Sequence, residues 1–258
     1  MLPPAMNKSS LLLVSTLCLF AACKGNAYRL NVGPMFAVAN GDIALQNAAG
    51  TLSLGDNQND IDSELGTGDT QAAPYARLEA SNGKHRFRLH GFGIDANSSG
   101  QLLGDFGNIA AGSQVTTSTE FYAIAANWGL EVLRGERYRV AVGAQAGYYS
   151  LDVAARSNTG REEVVTDVVV PMPFLEVEGL FGPLTIGANA GIMGADLGDG
   201  SGRYWDMEGY LRLQATKNFD LMAGYRYLLL DAYGKASTRD FDADVDVQGV
   251  FLTAGIKF

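Results

Sequence analysis

The last ten residues of the chain read Gly249-Val250-Phe251-Leu252-Thr253-Ala254-Gly255-Ile256-Lys257-Phe258, and their spacing decides the fold. Val250, Leu252, Ala254, Ile256 and Phe258 share one face of an extended strand; Gly249, Thr253, Gly255 and Lys257 share the other, along with Phe251. Successive side chains of a strand point to opposite sides, so period-two alternation marks a strand with unlike faces. The pattern recurs upstream. Trp205, Met207, Gly209, Leu211 and Leu213 oppose Asp206, Glu208, Tyr210, Arg212 and Gln214. Leu221, Ala223, Tyr225, Tyr227 and Leu229 oppose Met222, Gly224 and Arg226, and Phe87 and Leu89 oppose Arg86, Arg88 and His90. Ten strands are predicted, near 28–42, 71–81, 84–97, 117–133, 137–153, 165–180, 184–195, 203–215, 219–233 and 242–258. No stretch sustains a helical period.

The connections alternate in length. Asn82-Gly83, Arg134-Gly135-Glu136, Phe181-Gly182-Pro183 and Thr216-Lys217-Asn218 are tight, and Asn-Gly is a strong hairpin signal because both residues tolerate positive φ. Long polar loops are expected near 43–70, 98–116, 154–164, 196–202 and 234–241. Short turns at one rim and long loops at the other suit a barrel in a membrane, with both termini at the short-turn rim. The apolar faces carry aromatics near their ends (Tyr28, Phe87, Tyr138, Tyr148, Trp205 and Phe258), as interfacial girdles would. The polar faces mix long charged residues with glycine, as a crowded interior requires. The expected fold is therefore all-β: an up-and-down meander closed into an antiparallel transmembrane β-barrel of ten strands. Eight strands are the alternative if the first two are irregular. Pro34, Pro74, Pro171 and Pro173 weaken the first, second and sixth strands, since proline cannot donate to a ladder.

With charged residues at 18% and hydrophobic residues at 47%, the chain is too polar for a helical membrane bundle. The net charge of −9 argues against nucleic-acid binding, and no phosphate-cradling glycine motif opens a helix. Lys8, the apolar run Leu11 to Ala22 and the small pair Ala21-Ala22 read as an export signal over 1–22, leaving 23–258 for the barrel. The run is short of the about 20 apolar residues needed to span a bilayer as a helix. Cys18 and Cys23 are the only cysteines, so a disulfide framework, a thiol nucleophile and a cysteine metal site are not expected. Phe20-Ala21-Ala22-Cys23 resembles a lipoprotein lipobox with Phe20 where leucine is usual, which would make Cys23 a lipidation site; ordinary cleavage nearby is the alternative.

The ending Gly255-Ile256-Lys257-Phe258 resembles the C-terminal strand of bacterial outer-membrane barrels, whose final aromatic is read by the barrel-assembly machinery. Gly224-Tyr225-Arg226-Tyr227-Leu228 resembles a phrase of the small outer-membrane β-barrel superfamily. The resemblance implies the outer membrane of a Gram-negative bacterium, contact with its lipids and lipopolysaccharide, and an assembly role for Phe258. It names no solute.

The same parity turns Arg29, Arg77, Arg86, Arg88, Arg139, Arg212, Arg226 and Lys257 inward, with Glu79, Glu131, Glu176, Glu178, Asp206 and Glu208. An unpaired charge in such a space costs several kcal/mol, so pairing is expected, and guanidinium forks meet carboxylates bidentately. The predicted ion-pair network comprises Arg77, Glu79, Arg86, Arg88, Glu131, Arg139, Glu176, Glu178, Asp206, Glu208, Arg212 and Arg226. A filled lumen with a structural or surface-interaction role is expected. A narrow porin-like channel, constricted at Arg86, Arg88 and Glu176, is the alternative.

An outer-membrane hydrolase is the remaining option. Omptin proteases, lipid A deacylases and palmitoyltransferases use a histidine near the outer rim, whereas of the only histidines here His85 falls at the short-turn rim and His90 at mid-barrel or below. Neither a catalytic site nor a cofactor is expected. The acidic loop residues Asp56, Asp60, Asp62, Glu64 and Asp69 superficially resemble a calcium loop, but Ile61 stands where glycine is needed and Thr67 where a bidentate glutamate is needed, so no metal site is assigned. These residues and Asp240, Asp242, Asp244 and Asp246 read as a solvated acidic surface, open to divalent bridges with lipopolysaccharide or to a protein partner.

Overall fold

In the computed structural model, residues 27–66, 68–197, 200–236 and 238–258 are described, the side chains of 195–197 and 200 excepted. Segment 1–22, expected to be an export signal, and Cys23 lie outside the described residues. The elements are β1 (Ala27–Leu45), β2 (Asn59–Asp60), β3 (Gln71–Asn82), β4 (His85–Gln101), β5 (Gln114–Arg134), β6 (Tyr138–Arg156), β7 (Arg161–Phe181), β8 (Leu184–Leu197), β9 (Gly200–Gln214), β10 (Phe219–Ala236) and β11 (Arg239–Lys257). No helix occurs among the described residues. Each long strand pairs antiparallel with the long strands before and after it, and β11 pairs with β1 from Arg29↔Lys257 to Leu45↔Phe241, so the strands form a ring. The two-residue β2, not foreseen from the sequence, joins β1 at Asp42 and Ile43, above the point where β3 leaves it at Ala37.

Ten of these strands match the expected ones, but most run further toward the loop end. Asp240, in the expected loop 234–241, lies inside β11, where Asp242, Asp244 and Asp246, read as acidic surface, also lie. The reason is a reversal of polarity along the strands. In β11, Phe258, Ile256, Ala254, Leu252 and Val250 face outward in the lower, short-turn half, and Gln248, Asp246, Asp244 and Asp242 continue that face above. The inward face changes in the opposite sense, from Lys257, Gly255 and Thr253 to Val247, Val245, Ala243 and Phe241. In β10 the outward row runs from Phe219, Leu221 and Tyr225 to Asp231 and Lys235, and the inward row from Asp220 and Arg226 to Leu228 and Leu230. In β6, outward Tyr138, Val142 and Tyr148 give way to Asp152, and inward Arg139 and Gln145 give way to Leu151 and Val153.

The lower outward face is thus an apolar band, with Val250, Leu252 and Ile256 each more than half exposed. Its height, from Val250 to Phe258 in β11 and from Tyr138 to Tyr148 in β6, suits the about 9–11 residues a tilted strand needs to cross a bilayer. The upper half has the sense of a water-soluble barrel, with an apolar interior and a charged exterior.

The prolines mark breaks in the ladders. Pro34 stands opposite Pro74 across β1 and β3, and the β1–β11 register is interrupted at Gly33 and Pro34. β7 pairs with β6 continuously through Pro171 and Pro173, yet its pairing with β8 stops at Phe174↔Gly191. The missing donors of the two prolines therefore fall on the β8 edge.

Candidate functional site: a charged lower interior under an apolar cap

The lower interior is a lattice of ion pairs. β3 and β4 bring arginines, and β7 and β9 bring carboxylates. Arg86 bonds Glu178 at 2.7 and 3.1 Å and lies 3.0 Å from Glu176. Arg88 pairs with Glu176, and Arg77 with both Glu79 and Glu208. Arg139 reaches Glu178 at 2.6 Å and Arg212 reaches Glu79 at 2.9 Å. Arg226 grips Asp206 through Nε at 3.1 Å and Nη2 at 2.9 Å. Arg77, Glu208, Arg226 and Asp206 are essentially withdrawn from solvent. Such desolvation is tolerable only because nearly every charge meets an opposite one with directed hydrogen bonds.

Glu131 stands apart from this lattice. It lies at the irregularity between Glu131 and Leu133 and pairs at 2.6 Å with Arg134, beside the turn. Asp220 joins the lattice unforeseen, bonding Arg29 at 2.8 Å and accepting from Asn31 Nδ2 at 2.6 Å. Gly255 makes room for that contact, since a Cβ there would fall 2.0 Å from Asn31 Nδ2. Three tyrosines border the lattice: Tyr210, on the polar face expected of its strand, and Tyr75 and Tyr149, both unforeseen. Tyr75 donates to Glu208 at 2.8 Å, Tyr210 to Glu178 at 2.6 Å, and Tyr149 to Asp206 at 3.4 Å. The Arg77 guanidinium lies 4.4 Å from the centre of the Tyr210 ring. Tyr75 and Tyr149 carry their rings into the apolar layer above, stacking on Phe251 and Tyr204. A tyrosine with one wet and one dry end suits a boundary between polar and apolar layers.

Both histidines lie in the lower half. His90 is buried, with Nδ1 3.7 Å from Glu208 Oε2. His85 sits at the short-turn rim, where Trp128 Nε1 donates to its Nδ1 at 3.3 Å. At that rim a vestibule of about 150 Å³ is lined by Tyr28, Arg29, Arg86, Arg88, Arg139 and Lys257 among others.

Above the tyrosines the interior is apolar and the loops close over it. Leu102, Phe106 and Ile109 from the β4–β5 connection, and Ile61 and Leu65 from the β1–β3 connection, are buried. The two connections interlock, with Gly104 N donating to Asn59 Oδ1 and Asp105 N to Asn57 Oδ1, both at 3.1 Å. Gly107, at φ +60°, donates to Leu45 O at 3.0 Å; a Cβ there would press on the Glu162 carboxylate. Glu162 in turn accepts from Asn108 Nδ2 at 2.7 Å and from Arg239 at 2.5 Å. Burial opposes its ionisation, but the Arg239 and Asn108 donors outweigh it and hold the Glu162 carboxyl below the usual carboxylate range.

Outside, at the same height, Asp231, Asp244, Asp42 and Asp60 stand directly opposite one another across β10, β11, β1 and β2. Partial burial first, then Asp231, push the Asp244 carboxyl up, with Arg203 countering in part. Among the described residues there is no cluster of metal-ligating side chains suited to an ion.

No protein-family model matches the chain, and no curated protein does. Among solved structures it is similar to the outer membrane protease OmpT of Escherichia coli, with a TM-score of 0.52 at 12% identity over 90% of this chain and 96% of that one. The fold is that of a Gram-negative outer-membrane β-barrel. The attachment invasion locus protein Ail of Yersinia pestis (TM-score 0.32, 14% identity, 91% of this chain and 100% of that one) also matches. So does Neisserial surface protein A (TM-score 0.29, 13% identity, 91% and 98%). At these identities the likeness carries the fold and nothing of the chemistry; protease activity belongs to OmpT.

Proposed function

We propose that this outer-membrane barrel is closed from ten long strands, with β2 as an appended bridge, and has a filled lumen serving a structural or surface-interaction role rather than catalysis. The observation that carries the reading is that polar and apolar layers occupy the interior in sequence. Paired arginines and carboxylates fill the membrane-depth half, and Leu102, Phe106, Ile109, Ile61 and Leu65 fill the mouth above. A ring of ten strands is close to the size at which side chains alone fill the inside. The reading includes export by segment 1–22, Cys23 as an acylation point, and Phe258 as the handle for the assembly machinery. Lipid contacts the apolar band, and lipopolysaccharide or a protein partner the acidic exterior. Against catalysis stands the position of both histidines, far from the loop rim where an outer-surface hydrolase would hold its base.

A second reading, a narrow channel, is favoured by the cationic vestibule at the short-turn mouth. Planar-bilayer recording separates the two. The filled barrel is expected to insert without conductance steps, and to acquire them when residues 102–112 are deleted and Arg88→Ala and Glu176→Ala are combined. Steady conductance from the unaltered protein would establish the channel instead.

A further inference from the structure

The end of the β7–β8 ladder coincides with a cavity. Above Phe174 and Gly191 both strands continue, β7 to Arg161 at its upper end and β8 to Leu197, without pairing. β7 also approaches β10, beyond the β8–β9 hairpin. Between them lies a cavity of about 190 Å³, lined among the described residues by Tyr149, Leu151, Tyr204, Leu230, Phe241 and Val245 on its apolar walls, with Asp167, Ser201 and Tyr233 also at it. An apolar cavity of about 150 Å³ stays dry and takes up benzene, so this one has room for a hydrocarbon group. The wall beside the seam faces outward with Val169 and Ile192, both exposed, at the level of Trp205 and Tyr148, where the apolar band ends. The polar Asp167, Ser201 and Tyr233 lie just above that level.

We propose that the seam between β7 and β8 is a lateral portal that admits a hydrocarbon group, the end of an acyl chain or a small apolar molecule, from the lipid-facing side into this cavity. Pro171 and Pro173 keep the portal open by removing the two donors that would otherwise carry the β8 ladder upward. The unpaired edge would be costly in bare lipid, where backbone groups find no partners, and is acceptable only near the interface, where water reaches it. This proposal rests on the membrane placement argued above.

The test uses the full-length barrel in nanodiscs with Trp128→Phe and Trp205→Phe as the background. An indole introduced by Phe241→Trp reports on the cavity; Tyr204→Trp, on another wall, serves where that variant does not fold. Phe92→Trp is the reference for an apolar interior position away from the cavity, and the native Trp128 alone, retained with Trp205→Phe, reports the lipid face. Phosphatidylcholine with dibrominated chains is one probe, and bromobenzene in unbrominated lipid is the other. Quenching of the Phe241→Trp indole at least threefold above the Phe92→Trp reference is expected, and Pro171→Val with Pro173→Val is expected to remove the excess. Quenching by brominated lipid identifies an acyl chain as the occupant; quenching by bromobenzene alone identifies a small free molecule. No excess with either probe, or an excess that survives the proline replacements, overturns the portal. Brominated lipid that quenches Trp128 while sparing the cavity leaves the membrane placement standing; failure to quench Trp128 overturns that placement as well.

Discussion

At the scale of single residues, the interior depends on charges that cannot be removed singly. Arg77 is fully buried between Glu79 and Glu208. Arg77→Ala leaves both carboxylates short of a partner and is expected to cost about 3–5 kcal/mol in reversible unfolding from detergent micelles. Adding Glu208→Ala is expected to cost less than the sum of the two single changes, because the orphaned charge goes with its partner. Strict additivity in that cycle would mean that the pair is not coupled. The exterior offers a contrast at Asp244, held up by partial burial and by Asp231. A carboxyl whose folded pKa is raised weakens the fold above that pKa and no longer does so once pH falls below its ordinary value, about 3.9. Asp244→Asn is therefore expected to stabilise slightly at pH 7, by no more than about 0.5 kcal/mol, with the gain gone at pH 3. A gain that persists at pH 3 would assign it to something other than charge. Most of the lattice was legible in the sequence, because parity alone turns Arg77, Arg86, Arg88, Glu176, Glu178, Asp206 and Glu208 to one side. Tyr75 and Tyr149 were not, since a tyrosine in a membrane strand reads as readily as a girdle residue. Asp220 was hidden by its place two residues past a turn.

At the scale of elements, the loop between β4 and β5 behaves as part of the core. Phe106 is buried, and Phe106 and Ile109 exchange backbone hydrogen bonds at 2.9 and 3.0 Å. Phe106→Ala is expected to destabilise this cap by about 3–5 kcal/mol and to expose residues 102–113 to protease while the strands below resist. Equal resistance of variant and parent would show that the loop is held by other means. Strand identities were readable because alternation persists through each strand; strand ends were not, because polarity reverses part-way. Outward charged residues such as Lys235 and Asp240 satisfy the same period two as the leucines below them, yet they look like loop when apolar character alone is followed. The two-residue β2 carries too few positions to show any period. The prolines of β7 were seen as weakening a strand; their effect falls on one edge of it, and only the register with both neighbours reveals which.

At the scale of the whole molecule, two barrels of opposite sense are stacked end to end in one set of strands. The lower is inverted for lipid, and the upper is built as water would build it, roofed by its own loops. On the strands that carry it, the change from one to the other occurs within a few residues, between Gln248 and Val250 on β11 and between Leu229 and Asp231 on β10. That line works as a draught mark on a hull. Sinking the molecule by two residues along a strand, about 7 Å before tilt, would drag a circle of carboxylates into oil. Raising it equally would lift a belt of leucine, valine and aromatic rings into water. On the proposed membrane placement its vertical station is therefore written into most of the staves, and what stands above the apolar band is a turret roofed by its own loops rather than a fringe of loose threads.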